Sequence, residues 1–157
     1  MAYGEIYSVV FEGVAVTAVQ DLFEINASST KPLRIHSIYI SQYTEEGDAQ
    51  SEMLRLRVRR ATSTSGSGGS APTPVAINPS AAAASFTAEV NNTTQATGGS
   101  PVVLHVDTWN VQAGYQLILT PETQWTVPVS TRFTVELNEA PTDSITMCGT
   151  IYVEEIG

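Results

Sequence analysis

Apolar and polar residues alternate with a period of two along most of the chain, which predicts β-strands rather than helices. In EIYSVVFEGVAVTAVQDLFEI (5–25), Tyr7, Val9 and Phe11 share one face, and the pattern predicts two strands around Glu12–Gly13. Residues 15–24 could alternatively make a short helix, since Val16, Val19 and Phe23 have helical spacing, although Val and Thr favour extended backbone. In KPLRIHSIYISQYT (31–44), Leu33, Ile35, Ser37 and Tyr39 point one way, and Arg34, His36, Ile38 and Ile40 the other. Apolar residues on both faces predict a strand covered on both sides toward its C-terminal end.

An acidic turn, EEGDAQ (45–50), precedes EMLRLRVRR (52–60), where the alternation is strictest. Leu54, Leu56 and Val58 face inward there, and Arg55, Arg57 and Arg59 face outward. Further strands are predicted at 85–91 (Phe86, Ala88 and Val90 on one face), 101–111, 115–121, 132–138 and 144–155. In the last of these, Ile145, Met147, Gly149, Ile151 and Val153 share a face.

The sum is about nine strands with turn signals between them, which indicates an all-β fold. The expectation is one antiparallel β-sandwich domain over residues 1–157, jelly-roll-like in its long connections. Residues 61–84 have no periodicity and are rich in Ser, Gly, Pro and Ala. They read as a long loop inserted between strands, and SGSGGS (65–70) within them as flexible linker.

Composition narrows the function. The chain has 157 residues and a net charge of −9, with one Lys and six Arg. That balance opposes general nucleic-acid binding and an anionic membrane surface, both of which need a basic face. No stretch approaches the length of an apolar span, and MAYGEIYSVVFEG has no signal-peptide pattern, so a cytoplasmic origin is expected. Cys148 is the sole cysteine, so no intrachain disulfide can form, and it reads as a small buried or half-buried strand residue.

Candidate chemistry is sparse. His36 and His105 lie on predicted strands without a second histidine at metal spacing. His105 and Asp107 share a face, but a third and fourth ligand are not evident. The Gly-rich stretch lacks the lysine and strand–loop–helix setting of a phosphate cradle, and no nucleophile-elbow motif occurs. Glu45/Glu46 and Glu154/Glu155 read as solvated edges rather than acid–base pairs. Trp109, Trp125, Tyr115 and Tyr43 could form a sugar-stacking platform, though such rings in a sandwich are more often core or interface. Triplets of the glycosylation type at Asn26, Asn91 and Asn92 matter only on a eukaryotic secretory route. No enzyme activity, cofactor or metal is expected.

The arginines stand apart. Arg55, Arg57, Arg59 and Arg60 hold four of the seven basic residues. They could pair with carboxylates on a neighbouring strand. They could also form a partner-binding face, because guanidinium groups about 6–7 Å apart along a strand can grip carboxylates and guard a sheet edge.

Four segments together resemble a group of small virion proteins of tailed bacteriophages and prophages. They are GVAVTAVQDLFEI (13–25), SGSGGSAPTP (65–74), NNTTQA (91–96) and STRFTVELNEAPTDSITMCGTIYVEEIG (130–157), the last being the most specific. The resemblance runs the length of the chain and is greatest to head decoration, or cement, proteins. It implies a non-enzymatic small β-fold that sits on the outside of the expanded capsid. It also implies binding across copies of the major capsid protein, self-association with a trimer favoured, and assembly in the host cytoplasm. Attachment to a tail or neck, as a receptor- or carbohydrate-binding module, is the alternative.

Overall fold

The computed structural model describes residues 4–44 and 52–157, so the expected acidic turn at 45–50, with Glu45 and Glu46, lies outside the described residues. The described chain is all-β, with eleven strands. They are β1 (Glu5–Val16), β2 (Gln20–Asn26), β3 (Leu33–Gln42), β4 (Met53–Thr62), β5 (Val75–Ala76) and β6 (Thr87–Asn92). β7 (Val102–Asn110), β8 (Tyr115–Ile118), β9 (Trp125–Val127), β10 (Arg132–Leu137) and β11 (Ile145–Glu155) follow. Eleven is more than the nine or so expected from alternation, although each expected segment overlaps a strand. The two extra ones, β5 and β9, are two and three residues long, too short to show a period.

Two antiparallel sheets face each other as a β-sandwich. One runs β5-β1-β11-β3-β8, with β9 also paired to β3; the other runs β6-β2-β10-β4-β7. The core between them takes Phe11, Val16, Ile38, Ile40 and Ile151 from the first sheet, and Phe23, Leu56, Val58, Phe133 and Val135 from the second. Each such side chain contributes roughly 1.5–3 kcal/mol by leaving water. The inward sets expected for residues 54–58, 86–90 and 145–153 are all buried.

Gly149 stands on the inward face of β11. A Cβ there would lie 2.8 Å from a ring carbon of Phe11 and 3.1 Å from one of Phe23. The missing side chain is what lets those two rings meet, with centroids 5.2 Å apart.

Two expectations fail because the strands carry bulges. β1 does not end at Glu12–Gly13. It runs on to Val16, and Gly13, at φ +62°, sits in a register shift against β11 between Phe11 and Val14. β2 then begins at Gln20 as a strand, not a helix. In β3 the pairing passes from Val153↔Ile35 to Tyr152↔Ser37, so His36 is an extra residue. That insertion reverses the alternation. Leu33, Ile35, Ile38 and Ile40 therefore all reach one core, and the strand is not covered on both sides.

Candidate partner-binding surface

The arginine row lies on the outer face of the second sheet, where β4 sits between β10 and β7. Its partner is Glu136 on β10, opposite Arg57 in the ladder and fully buried. Arg57 Nε donates to Glu136 Oε2 at 2.7 Å, and Arg59 bonds Oε1 of the same carboxylate. Thr134 Oγ1 adds a third donor at 3.0 Å, and Arg59 also donates to the carbonyl of Ala96 at 3.0 Å. Arg57 and Arg59 are thus held within the fold by cross-strand ion pairs. Arg55 is exposed and, among the described residues, reaches the carbonyl of Asn138, at 3.4 Å. Arg60 turns the other way and donates to the carbonyl of Thr126 on β9, at 2.7 Å, joining the two sheets at their rim.

Glu136 is buried although it faces outward, beneath Arg57 and Arg59, and Arg59 is itself tied to the loop at Ala96. The stretch expected to be linker lies against the body. Thr64 and Thr97 exchange backbone hydrogen bonds at 2.9 and 3.1 Å, and Ser67 and Thr94 do so at 3.0 Å each. The result is a flap, residues 63–70 and 92–99, over the outer face of the second sheet. Glu24 of β2 anchors it by accepting from Ser65 Oγ (2.6 Å), the Gly66 N–H (2.9 Å) and Asn92 Nδ2 (3.1 Å). Arg132 Nε also lies 2.5 Å from Glu24 Oε1, with its N–H not aimed at that oxygen.

The glycines make this approach possible. A Cβ on Gly66 would stand 2.5 Å from the Thr94 carbonyl oxygen, and one on Gly69 would stand 2.1 Å from that of Val90. Composition alone could not separate this use of glycine from flexibility.

Asp21 of β2 is fully buried beneath the same flap. Its Oδ2 accepts the Ala96 N–H at 2.7 Å, and its Oδ1 has no hydrogen-bond partner among the described residues. Burial pushes the carboxyl up to about 7; the Ala96 N–H pulls it down, and the nearby Glu136 and Glu24 charges add to the rise.

The remainder of 61–84 is tied down at further points. β5 pairs with β1 at Tyr7↔Ala76 and Ser8↔Val75, and the Tyr7 hydroxyl donates to the Ala82 carbonyl at 3.1 Å. Glu155 receives Ser85 N–H (2.5 Å), Ser85 Oγ (2.6 Å) and Lys31 Nζ (3.2 Å). Burial raises the Glu155 carboxyl, but these donors outweigh it and hold it below the usual range. Glu154 behaves likewise: burial is outweighed by His36 (2.8 Å), the Gly4 N–H (2.9 Å) and Arg34 (3.3 Å). Glu154 and Glu155 are therefore buried anchors, not solvated edges.

The two histidines have separate surroundings. His36 bonds Glu154 and, through Nδ1, Gln124 at 3.1 Å. His105 lies 3.7 Å from Asp107, 3.4 Å from the Tyr115 hydroxyl and against the Trp125 ring. Among the described residues, no three His, Cys, Asp or Glu side chains group as a metal site requires.

The four-ring sugar platform is not assembled. Trp109 is buried and donates to the Ala113 carbonyl at 2.5 Å, while Trp125 and Tyr115 are half-buried. Tyr43 is exposed on the first sheet, at a shallow groove of about 480 Å³ that Tyr39 and Tyr115 also line.

Sequence reasoning missed Glu24, Asp21 and Glu136. The available signal was an acidic residue inside an otherwise apolar strand, as in QDLFEIN and RFTVELN. A charge so placed needs a cover and a partner.

No protein-family model matches the chain, and no curated protein matches it well enough to count as a relative.

Proposed function

We propose that this is a non-enzymatic structural virion protein of a tailed phage. It decorates the capsid exterior, binds across copies of the major capsid protein and stabilises the assembled shell. We further propose that the sandwich is a jelly roll. With β5, β6 and β9 set aside, the orders β1-β11-β3-β8 and β2-β10-β4-β7 support it, because two Greek-key hairpins folded together give such an arrangement.

One observation carries the functional reading. The segment from Ala71 to Ser80 is fixed to the body yet holds Val75 and Ile77 in solvent, at 62% and 56% exposure. Pro72, Pro74 and Pro79 stiffen it. A preformed apolar loop loses little entropy on docking, which suits capture of a protein surface. A ligand that binds only the assembled shell stabilises it by mass action, and linked copies on a lattice strengthen weak contacts. In this reading the protein self-associates, is made in the host cytoplasm and needs no cofactor. Arg55, with neighbouring Arg57 half-exposed, remains available to a carboxylate of the shell.

The test is binding to purified capsids. The wild-type protein saturates expanded shells, and the double variant Val75→Asp/Ile77→Asp, with an unchanged circular-dichroism spectrum, loses occupancy at least tenfold. Equal occupancy by the double variant overturns the role of this loop.

The second reading, a tail- or neck-associated receptor- or carbohydrate-binding module, draws on the groove beside Tyr39 and Tyr43. Saturable glycan binding lost on Tyr43→Ala, with few copies per virion, would favour it.

A further inference from the structure

We propose that the free edge of β7 pairs with the same edge of a second copy of this chain, antiparallel and about a twofold axis at Val106. The inference specifies the self-association in the proposed function and is independent of capsid binding.

A sheet edge exposes unpaired backbone donors and acceptors, and folds that stay monomeric shorten, cover or charge their edges. Three of the four edges here are managed in that way. β5 is two residues long. β8 and β9 are four and three residues long. β6 is closed by the flap, where Ser70 and Val90 exchange hydrogen bonds at 2.8 and 3.0 Å.

β7 differs. It has nine residues and pairs on one side only, with β4. Among the described residues no backbone hydrogen bond from another strand or loop reaches its other side between Val102 and Trp109; at its end the Asn110 carbonyl accepts the Ala113 N–H at 3.0 Å. Thr108 N–H takes the Oδ1 of its own neighbour Asp107, at 2.8 Å. The strand VVLHVDTWN contains no Lys and no Pro. Val102, Val103 and Val106, opposite Arg60, Arg59 and Arg57 of β4, are each about half exposed. A solvated edge has no use for three valines in that state, whereas a central strand does.

The charges select the register. β7 carries one imidazole and one carboxylate, two residues apart. An axis at Asp107 would set the two Asp107 carboxylates opposite each other. An axis at His105 would set imidazole against imidazole and draw in the bulge at Leu104, where the ladder with β4 shifts. An axis at Val106 places His105 opposite the partner's Asp107 and Asp107 opposite the partner's His105, with Val106 opposite its own copy. A carboxylate facing an imidazole that can donate to it, and β-branched residues facing each other, are favourable cross-strand neighbours. The central pairs, His105 to Asp107, avoid the bulge in both copies. The joined sheet has ten strands, and the contact closes at two copies. The trimer implied by the resemblance would need another surface, and both contacts together would give a hexamer.

The experiment uses the full chain with Cys148→Ser, so that an added thiol is unique. Val106→Cys and, as control, Gln116→Cys on exposed β8 are treated with a short bifunctional thiol reagent at equal concentration. The proposal expects most of the Val106→Cys protein as covalent dimer, and at most a tenth as much for Gln116→Cys. Light scattering of the wild type should give an even number of copies. Val106→Lys should raise the concentration of half-association at least tenfold with an unchanged circular-dichroism spectrum, and His105→Asp should act in the same direction. A monomeric or trimeric wild type, or equal cross-linking at positions 106 and 116, overturns the proposal. Capsid occupancy of Val106→Lys is read separately, so the pairing and the capsid reading can fail independently of one another.

Discussion

The backbone N–H of Gly66 lies 2.9 Å from Oε2 of Glu24, a carboxylate that water scarcely touches. A glycine from the least regular part of the sequence thus meets a charge from one of the most buried strands. Replacing Gly66 with Ala puts a Cβ 2.5 Å from the Thr94 carbonyl oxygen and 2.9 Å from the Asn92 amide, so the flap must lift. The expected cost is roughly 1–3 kcal/mol, since Glu24 loses buried donors. Urea denaturation measures it, and hydrogen exchange at the Ala96 amide should quicken with it.

Glu136 serves two arginines, and its loss should be felt more than that of either. Glu136→Gln should destabilise by about 2–3 kcal/mol, less than for a fully buried pair because Arg57 is partly in water. Arg55→Ala, at the exposed end of the row, should change stability by under about 0.5 kcal/mol. Denaturant midpoints of the two variants give the comparison; equal effects would contradict the network.

Asp21 gives the fold a dependence on pH with a definite sign. Its folded-state pKa, about 7, lies above the ordinary 3.8. The native state therefore holds the proton more tightly than the unfolded chain does, and the associated stability is full below about pH 4 and lost as pH rises through 7. A shift of that size corresponds to at most about 4 kcal/mol. Asp21→Asn should gain on the wild type between pH 5 and 8 and show little gain at pH 4. Glu154 and Glu155 act oppositely, because their depressed values remove stability as pH falls below 4.5. Thermal melts of both proteins across pH 2–8 test these signs together.

Gly149→Ala should cost about 1–3 kcal/mol, because the new methyl group meets the Phe11 and Phe23 rings at 2.8–3.1 Å in a filled core. Gly114→Ala, where a Cβ meets nothing within 4 Å, is the matched control.

Regular alternation made the strands legible. EMLRLRVRR and SITMCGTIYVEE each bury the alternate residues that their patterns mark. Period two fails where a residue is inserted, and the insertions at His36 and around Gly13 leave no compositional mark, so two strands read with the wrong faces or ends. The Gly/Ser stretch was opaque for a different reason. Glycine serves flexibility and close backbone approach equally well, and only the partners, Val90, Asn92 and Thr94, distinguish them. Those partners lie more than twenty residues away along the chain. The arginine row was visible as a pattern, but its carboxylate was not, since Glu136 lies within the apolar strand RFTVEL.

The central claim is that this stiff sandwich grips protein surfaces on a phage shell. Quantitative mass spectrometry of purified virions, with copies counted against the major capsid protein, tests it most directly. The account predicts hundreds of copies per particle, in fixed proportion to the capsid subunits. A handful of copies, or none, would contradict it.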